Sequence, residues 1–339
     1  MKTNSLFIKQ LLLNFRALRA SKKSIKEIIS LFLYALQLIG QNLGFRFHDT
    51  IAIEISNICN ARCVWCWMYF PGKKDSGLMS FEDFKKLIDL NASYFKRKNI
   101  KILPYHRGEP LLHPCFFEMI DYCVKKGVRL RTLSTNLSVE IDIDRIMSYP
   151  FWSIWITLGG ITKEVQEKVM PGTSFELVKN NLRKMFLYNK LKIPIYVKMN
   201  PTKDNVHQIE KLGIFVKELG GTEENAVIGT TGFSLPAEAS EADKEIFFKN
   251  VVSKDVEKYL RFTYDNNKNV VAKKHKCFFL MPTIKYNGVV AICCHDQLSR
   301  INVGNAFKAP LEKILGSKEY KINETMGRRM AFFFCKNCN

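Results

Sequence analysis

The chain has 339 residues, 47% of them hydrophobic and a quarter charged, and its 52 Lys and Arg outnumber 32 Asp and Glu for a formal charge of +20. This composition excludes an intrinsically disordered chain, and ten cysteines over such a length exclude a small disulfide scaffold. The positive balance favours anionic partners, while the grouping of the cysteines points to metal and to a reducing, cytoplasmic setting.

Residues 1–48 carry many Lys and Arg and a single acid, Glu27. Lys22, Lys23 and Lys26 interrupt the early apolar run, so no cleavable signal is expected, and the apolar stretch 28–39 is too short to span a bilayer. Leu11, Leu12, Phe15 and Leu18 fall on one helical face. The segment therefore reads as a basic amphipathic helical extension, packing on the rest of the protein, binding a partner or contacting a membrane peripherally.

From residue 50 onward, β-rich runs alternate with helical stretches. Strands are expected at 50–56, 100–105, 128–134, 152–158, 193–199 and 226–230, with helices between most of them, one opening at the capping pair Ser80 and Asp83. This alternation predicts parallel strands, and six of them make an incomplete (β/α)6, TIM-like α/β barrel over 49–234. After it, 235–276 reads as a connector with an acidic helix near Glu238. A hairpin is expected next, residues 283–286 and 289–292 flanking Asn287-Gly288, a two-residue turn in which both positions want positive φ. The hairpin ends at Cys293 and Cys294, and with Cys277, Cys335 and Cys338 it defines a small metal-binding domain over 277–339.

Cys59, Cys63 and Cys66 follow the first predicted strand and so occupy a loop at the C-terminal mouth of the barrel, where such folds place chemistry. Three thiolates in so short a loop suit three irons of a [4Fe-4S] cube, the fourth iron staying open, whereas structural zinc wants a fourth ligand nearby. Zinc, or three merely buried cysteines, are the alternatives on the triplet alone.

The C-x-x-x-C-x-aromatic-C loop, with Trp65 at the aromatic position, resembles the signature of the radical S-adenosylmethionine (SAM) superfamily. The resemblance implies that the amino and carboxylate groups of SAM chelate the open iron, and that SAM is cleaved to a 5′-deoxyadenosyl radical that abstracts hydrogen from substrate. It also implies further SAM contacts at the ends of later strands. In "HRGEPLLHP", Gly108 would let the protein backbone approach SAM and Glu109 would receive the SAM ammonium, with Arg107 replacing the motif's first glycine. "LSTN" offers Ser134 and Asn136. "WITLGG" keeps a hydroxyl at Thr157 but has Gly159 where the family has an acid, and Asn200 closes the fifth strand. His106 and His113 flank the Glu109 loop, where a histidine is more often merely hydrogen-bonded than a ligand. Cys115 and Cys123 fall on a predicted helix among apolar residues and read as core.

The C-terminal cysteines resemble the SPASM or shorter twitch extension of some radical SAM enzymes. That resemblance implies one auxiliary [4Fe-4S] cluster on Cys277, Cys293, Cys335 and Cys338, with Cys294 as the alternative to Cys293; a four-cysteine zinc ribbon is the competing reading. The function implied is a radical SAM oxidoreductase acting on a C–H bond of a sugar-like or other small polar substrate, with modification of a ribosomally made peptide as the alternative. Such an enzyme takes electrons from an external donor such as flavodoxin or ferredoxin. A non-catalytic, metal-stabilised nucleic-acid-binding protein is the reading from another class; it has only the charge behind it, so nucleic acid is not the expected partner.

Overall fold

The computed structural model describes residues 49–70, 76–230, 239–257, 259, 263–264, 270–271 and 280–328. The N-terminal extension 1–48 and three of the expected auxiliary ligands, Cys277, Cys335 and Cys338, lie outside the described residues. Among the described residues no helix is long and apolar enough to cross a membrane.

The chain runs β1 (Thr50–Ile53), α1 (Phe81–Arg97), β2 (Lys101–Leu103), α2 (Phe116–Lys125), β3 (Arg129–Leu130), β4 (Thr132–Thr135), α3 (Ile143–Ser148) and β5 (Ser153–Leu158). It continues through α4 (Lys163–Val169), α5 (Phe175–Tyr188), β6 (Ile195–Met199), α6 (Leu212–Glu218) and β7 (Ala226–Thr230). Every pairing along β1-β2-β3 and β4-β5-β6-β7 is parallel. Arg131, between β3 and β4, joins the two sheets: its N–H donates to the Ile102 carbonyl and its own carbonyl accepts from Ser153. β3 and β4 thus form one interrupted line, and the six strand lines expected from the sequence all stand in the incomplete barrel.

Period-2 and period-3.6 patterns explain why these segments fold as they do. In β6, Ile195, Val197 and Met199 are fully buried against the helices while Tyr196 and Lys198 alternate onto the inner face of the barrel. In α1, Phe84, Leu87, Ile88, Asn91 and Phe95 form the buried stripe, and the Ser80 hydroxyl caps the first turn by accepting from Asp83 N–H at 3.0 Å.

After the barrel come α7 (Glu241–Val251) and the short helix α8 (Lys254–Glu257), followed by β8 (Thr263–Tyr264), which pairs antiparallel with β9 (Val270–Val271). β10 (Thr283–Ile284) then adds to the free edge of β1 in parallel, and β11 (Val289–Ala291) and β12 (Asn302–Asn305) extend the same sheet antiparallel. The C-terminal hairpin is therefore continuous with the barrel sheet. Two further helices, α9 (Leu311–Gly316) and α10 (Lys318–Arg328), follow. α9 docks on α1, where buried Asn91 accepts the Leu311 N–H at 2.7 Å.

The hairpin turn differs from the expected two-residue type. Only Gly288 has positive φ, +81°, and Asn287 is not among the left-handed residues. Gly288 N–H returns to the Lys285 carbonyl and Lys285 N–H to that of Val289. The loop is therefore three residues long, a type I turn closed by a left-handed glycine. Glycine is required there, because a Cβ would stand 2.6 Å from the Phe307 ring.

Candidate active site

The cysteine loop leaves the C-terminal end of β1 and is held on three sides by backbone contacts. Glu109 N–H donates to the Ile58 carbonyl at 2.8 Å, Arg62 N–H to Pro171 at 2.7 Å and Val64 N–H to Val169 at 3.1 Å. Two glycines permit this closeness. Gly108 has φ +75° and a Cβ there would lie 2.6 Å from the Asn57 backbone; Gly172 has φ +86° and a Cβ would lie 2.2 Å from the Asn60 carbonyl oxygen. Beyond the loop, Trp67 and Phe70 pack with Phe247 and Val251 of α7, and Trp67 Nε1–H donates to buried Asp243 at 3.1 Å. Asp243 also completes the capping box of α7 with Ser240, so the helix after the barrel is fastened to the cysteine loop.

The three thiols converge. Burial pushes each of them up, Cys66 to about 11, and Cys63 is raised further by the thiols of Cys66 and Cys59. Cys59 Sγ accepts from Ala61 N–H at 3.4 Å and from the Asn136 amide at 3.7 Å, the kind of N–H contact that steadies a thiolate. Trp65 packs beside this loop with Ala61, Val169 and Met170. Among the described residues no three His, Cys, Asp or Glu side chains form a cage for a single metal ion. A cube sets no such demand, because its irons stand at separate corners and its three thiolates stand wider apart. The donor set fits a three-cysteine cluster, whose irons would compensate thiolates that burial otherwise disfavours.

Glu109 lies on the neighbouring loop, and its backbone N–H donates to the Ile58 carbonyl next to the first cysteine. Its buried carboxylate accepts from Asn136 N–H at 2.7 Å and Leu111 N–H at 3.2 Å, yet burial still raises it to about 7. Its charge in turn helps to raise Cys59 and Cys63, and Asn136 links the two groups, its side-chain amide donating to Cys59 Sγ. A buried carboxylate in this state is short of a cation, the condition that an ammonium would relieve. Asn136 ties the neighbourhood together through its amide, which donates to Asn60 Oδ1 at 2.9 Å, and its Oδ1, which accepts from Ser138 N–H at 2.8 Å.

Of the other expected contacts, Ser134 and Thr157 lie on the inner faces of β4 and β5, and buried Asn200 follows β6. The chain's two departures from the family motifs have physical reasons. A Cβ on Gly159 would stand 2.9 Å from Met170 Cγ and 3.0 Å from the Gln166 carbonyl, which leaves no room for the family's acid. Instead, Gln166 Oε1 accepts both Gly159 N–H and Gly160 N–H, and the Asn205 amide donates to the carbonyls of Gly159 and Asn200. Arg107 is buried in a fork on Glu54, Nε to Oε2 at 2.7 Å and Nη2 to Oε1 at 2.8 Å.

That pair belongs to a charged cluster reaching into the C-terminal hairpin. His106 Nδ1 is 3.0 Å from Glu54 Oε2 and 3.2 Å from Lys285 Nζ, and its Nε2 donates to the Cys294 carbonyl at 2.7 Å. Burial and Lys285 outweigh Glu54 and hold His106 below the ordinary imidazole value. Burial alone would raise Glu54, but hydrogen bonds from Arg107 and His106, with the charges of His106 and Lys285, hold it well below the carboxylate range. Next to Cys294, buried Cys293 accepts His295 N–H on Sγ at 3.4 Å; it is the one expected auxiliary ligand among the described residues. His113 donates to or accepts from backbone only, Nε2 lying 2.9 Å from the Met79 carbonyl. Cys123 is buried in the main core, whereas Cys115, expected there too, is half-buried at the N-cap of α2.

Sequence reading missed Glu54, Gln166, Asn205, Asp243 and Lys285. Only Glu54 carried a signal, as a lone acid in the otherwise apolar strand "IAIEIS".

The chain belongs to the radical SAM superfamily, whose family model matches residues 53–212, and a model for an iron–sulfur cluster-binding domain, SPASM, matches 277–339. Membership brings a [4Fe-4S] cluster and SAM to the barrel and an auxiliary iron–sulfur site to the C-terminal region. The chain is similar to mycofactocin maturase MftC of Mycobacterium tuberculosis, 26% identical over 171 residues, which are 50% of this chain and 42% of the relative. It is also similar to the AdoMet-dependent heme synthase of Methanosarcina barkeri, 28% identical over 222 residues, 64% of this chain and 58% of the relative. The chain thus spans about half the length of the curated relatives it matches. Its fold is shared with Streptococcus suis SuiB bound to precursor peptide SuiA, at a TM-score of 0.55 and 13% identity, covering 90% of this chain and 73% of the other.

Proposed function

We propose that the protein is an oxidoreductase that cleaves SAM reductively and removes a hydrogen atom from a C–H bond of a small polar substrate. The carrying observation is the buried Glu109 carboxylate beside the three-cysteine loop, bridged to Cys59 by Asn136, whose backbone N–H donates to the carboxylate and whose side-chain amide donates to Sγ. When bound, the barrel cluster with SAM supplies a 5′-deoxyadenosyl radical, and the auxiliary cluster supplies an electron acceptor or relay. Cys59, Cys63 and Cys66 hold the first of these, and Cys293, or Cys294 beside it, with Cys277, Cys335 and Cys338 the second. Glu109 takes the SAM ammonium, Gly108 lets backbone approach, and Asn136 orients both Glu109 and the cysteine loop. Thr157 and Asn200 offer polar groups on the far wall. Gln166 and Asn205 keep the loops after β5 and β6 closed, which limits water at the reacting centre. Ser134, Thr157 and Tyr196 on the inner strand faces suit a hydroxyl-bearing substrate. An external flavodoxin- or ferredoxin-like donor would supply the reducing electron. The division into an extension (1–48), barrel (49–234), connector (235–276) and cluster domain (277–339) is part of this reading.

A peptide substrate is the second reading, favoured by the fold shared with a peptide-bound protein. The test of SAM chemistry is anaerobic reconstitution with iron and sulfide, dithionite reduction and chromatographic assay of 5′-deoxyadenosine, beside a Cys59, Cys63, Cys66→Ala triple variant. About eight irons in the wild type and about four in the variant, with 5′-deoxyadenosine from the wild type alone, are expected for two cubes. Zinc in place of iron and no SAM cleavage would overturn the proposal and leave the metal-stabilised binding protein.

A further inference from the structure

On the inner barrel wall, two strands along from β4, which Asn136 follows, a lysine stands without an acid among the described residues. Lys198 on β6 is in register with Thr157 of β5 and Gly229 of β7. Its Nζ lies 4.7 Å from the centroid of the Trp155 ring, and no carboxylate among the described residues pairs with it. Three features next to it are unusual for a lysine that merely fills space. Burial lowers its pKa to about 8, so the ammonium is poorly solvated where it stands. The Trp155 indole N–H is buried and has no acceptor among the described residues. Gly229 presents no side chain, and a Cβ there would meet nothing within 4 Å among the described residues, so these leave open space beside the lysine. A cation short of an anion, a donor short of an acceptor and a neighbouring void together describe an anion receptor.

We propose that Lys198 and Trp155 form an anion-recognition subsite on the inner wall, which takes a carboxylate or phosphate group of the substrate. This rests on the radical SAM reading above and narrows its small polar substrate to one bearing such a group. The carboxylate of SAM has the same chemistry and is the other source that the experiment separates.

Reconstituted holoenzyme is titrated with pyrophosphate as the anion probe and, separately, with SAM, by equilibrium dialysis. Wild type is compared with Lys198→Met, which keeps the apolar stem, Lys198→Arg, which keeps the charge, and Trp155→Phe, which keeps the ring and removes the N–H. Iron content confirms that each variant is folded. The expected result is about a tenfold loss of pyrophosphate affinity in Lys198→Met, a smaller loss in Trp155→Phe, retention in Lys198→Arg, and SAM affinity within about twofold throughout. A tenfold loss of SAM affinity instead supports the subsite and assigns it to the SAM carboxylate. Unchanged affinity of Lys198→Met for both probes, or no pyrophosphate binding by wild type with SAM binding unaffected, overturns the subsite. Because these are binding measurements, a wild type that never forms 5′-deoxyadenosine but binds pyrophosphate through Lys198 would refute the radical reading alone.

Discussion

The cysteine loop and the C-terminal hairpin both present cysteines at the end of a strand, but they are held by different forces. The loop gathers three thiols within eight residues and is clamped by backbone hydrogen bonds to Glu109, Pro171 and Val169, with Gly108 and Gly172 allowing the contact. The hairpin gains its place by adding β10 to the edge of β1 and by the buried cluster of Glu54, His106, Arg107 and Lys285. A short-range site can be built by turns; a site whose ligands are far apart in sequence needs long-range anchors. Because Arg107 and Glu109 share one loop, the hairpin anchor and the Glu109 carboxylate are mechanically joined.

The largest effect expected is at that anchor. Glu54→Ala leaves Arg107 and Lys285 buried without their carboxylate and should cost about 3–5 kcal/mol in urea unfolding. Less than about 1 kcal/mol would show that the hairpin is held by strand pairing alone. Since Glu54 is held below its ordinary value, its stabilisation is present above about pH 4 and is lost as pH falls through the depressed folded value. Wild type should therefore lose stability more steeply than Glu54→Ala in acid.

Gly108→Ala tests the backbone clamp on the other side. A Cβ at φ +75° against the Asn57 backbone should cost about 2 kcal/mol or more and weaken SAM binding. A variant with unchanged SAM affinity would mean that the two loops are not in the contact described.

Next comes the pH dependence of SAM binding. Glu109 titrates near 7, and only its ionised form pairs with an ammonium, so SAM should bind about tenfold more weakly at pH 6 than at pH 8. Glu109→Gln should bind weakly with this slope removed; a slope that persists in the variant would assign the titration elsewhere.

The smallest effect is at the outer fastening of the loop. Trp67→Phe removes the indole donor to Asp243 while keeping the ring in its apolar cluster, and should cost about 1 kcal/mol with SAM cleavage retained. A large loss of iron in this variant would make α7 part of the cluster's support.

The six strand lines, the Ser80 cap and the cysteine loop were legible because each depends on neighbours in sequence: alternation sets a strand's faces, a hydroxyl three residues before an acid caps a helix, and a loop after a parallel strand opens at the barrel mouth. The hairpin was legible in position, but its turn type was not, because Asn287-Gly288 serves both a two-residue turn and a type I turn closed by glycine. Glu54, Lys285 and Gln166 were silent for a different reason. Burial of a charge or an amide is tolerated only when partners from distant segments arrive together, and no local pattern announces that meeting. The sequence by itself determined the elements and the thiol triplet. Tertiary structure alone decided that Arg107 takes the place of a glycine by pairing with Glu54, that Gly159 has no room for an acid, and that the hairpin joins the edge of β1.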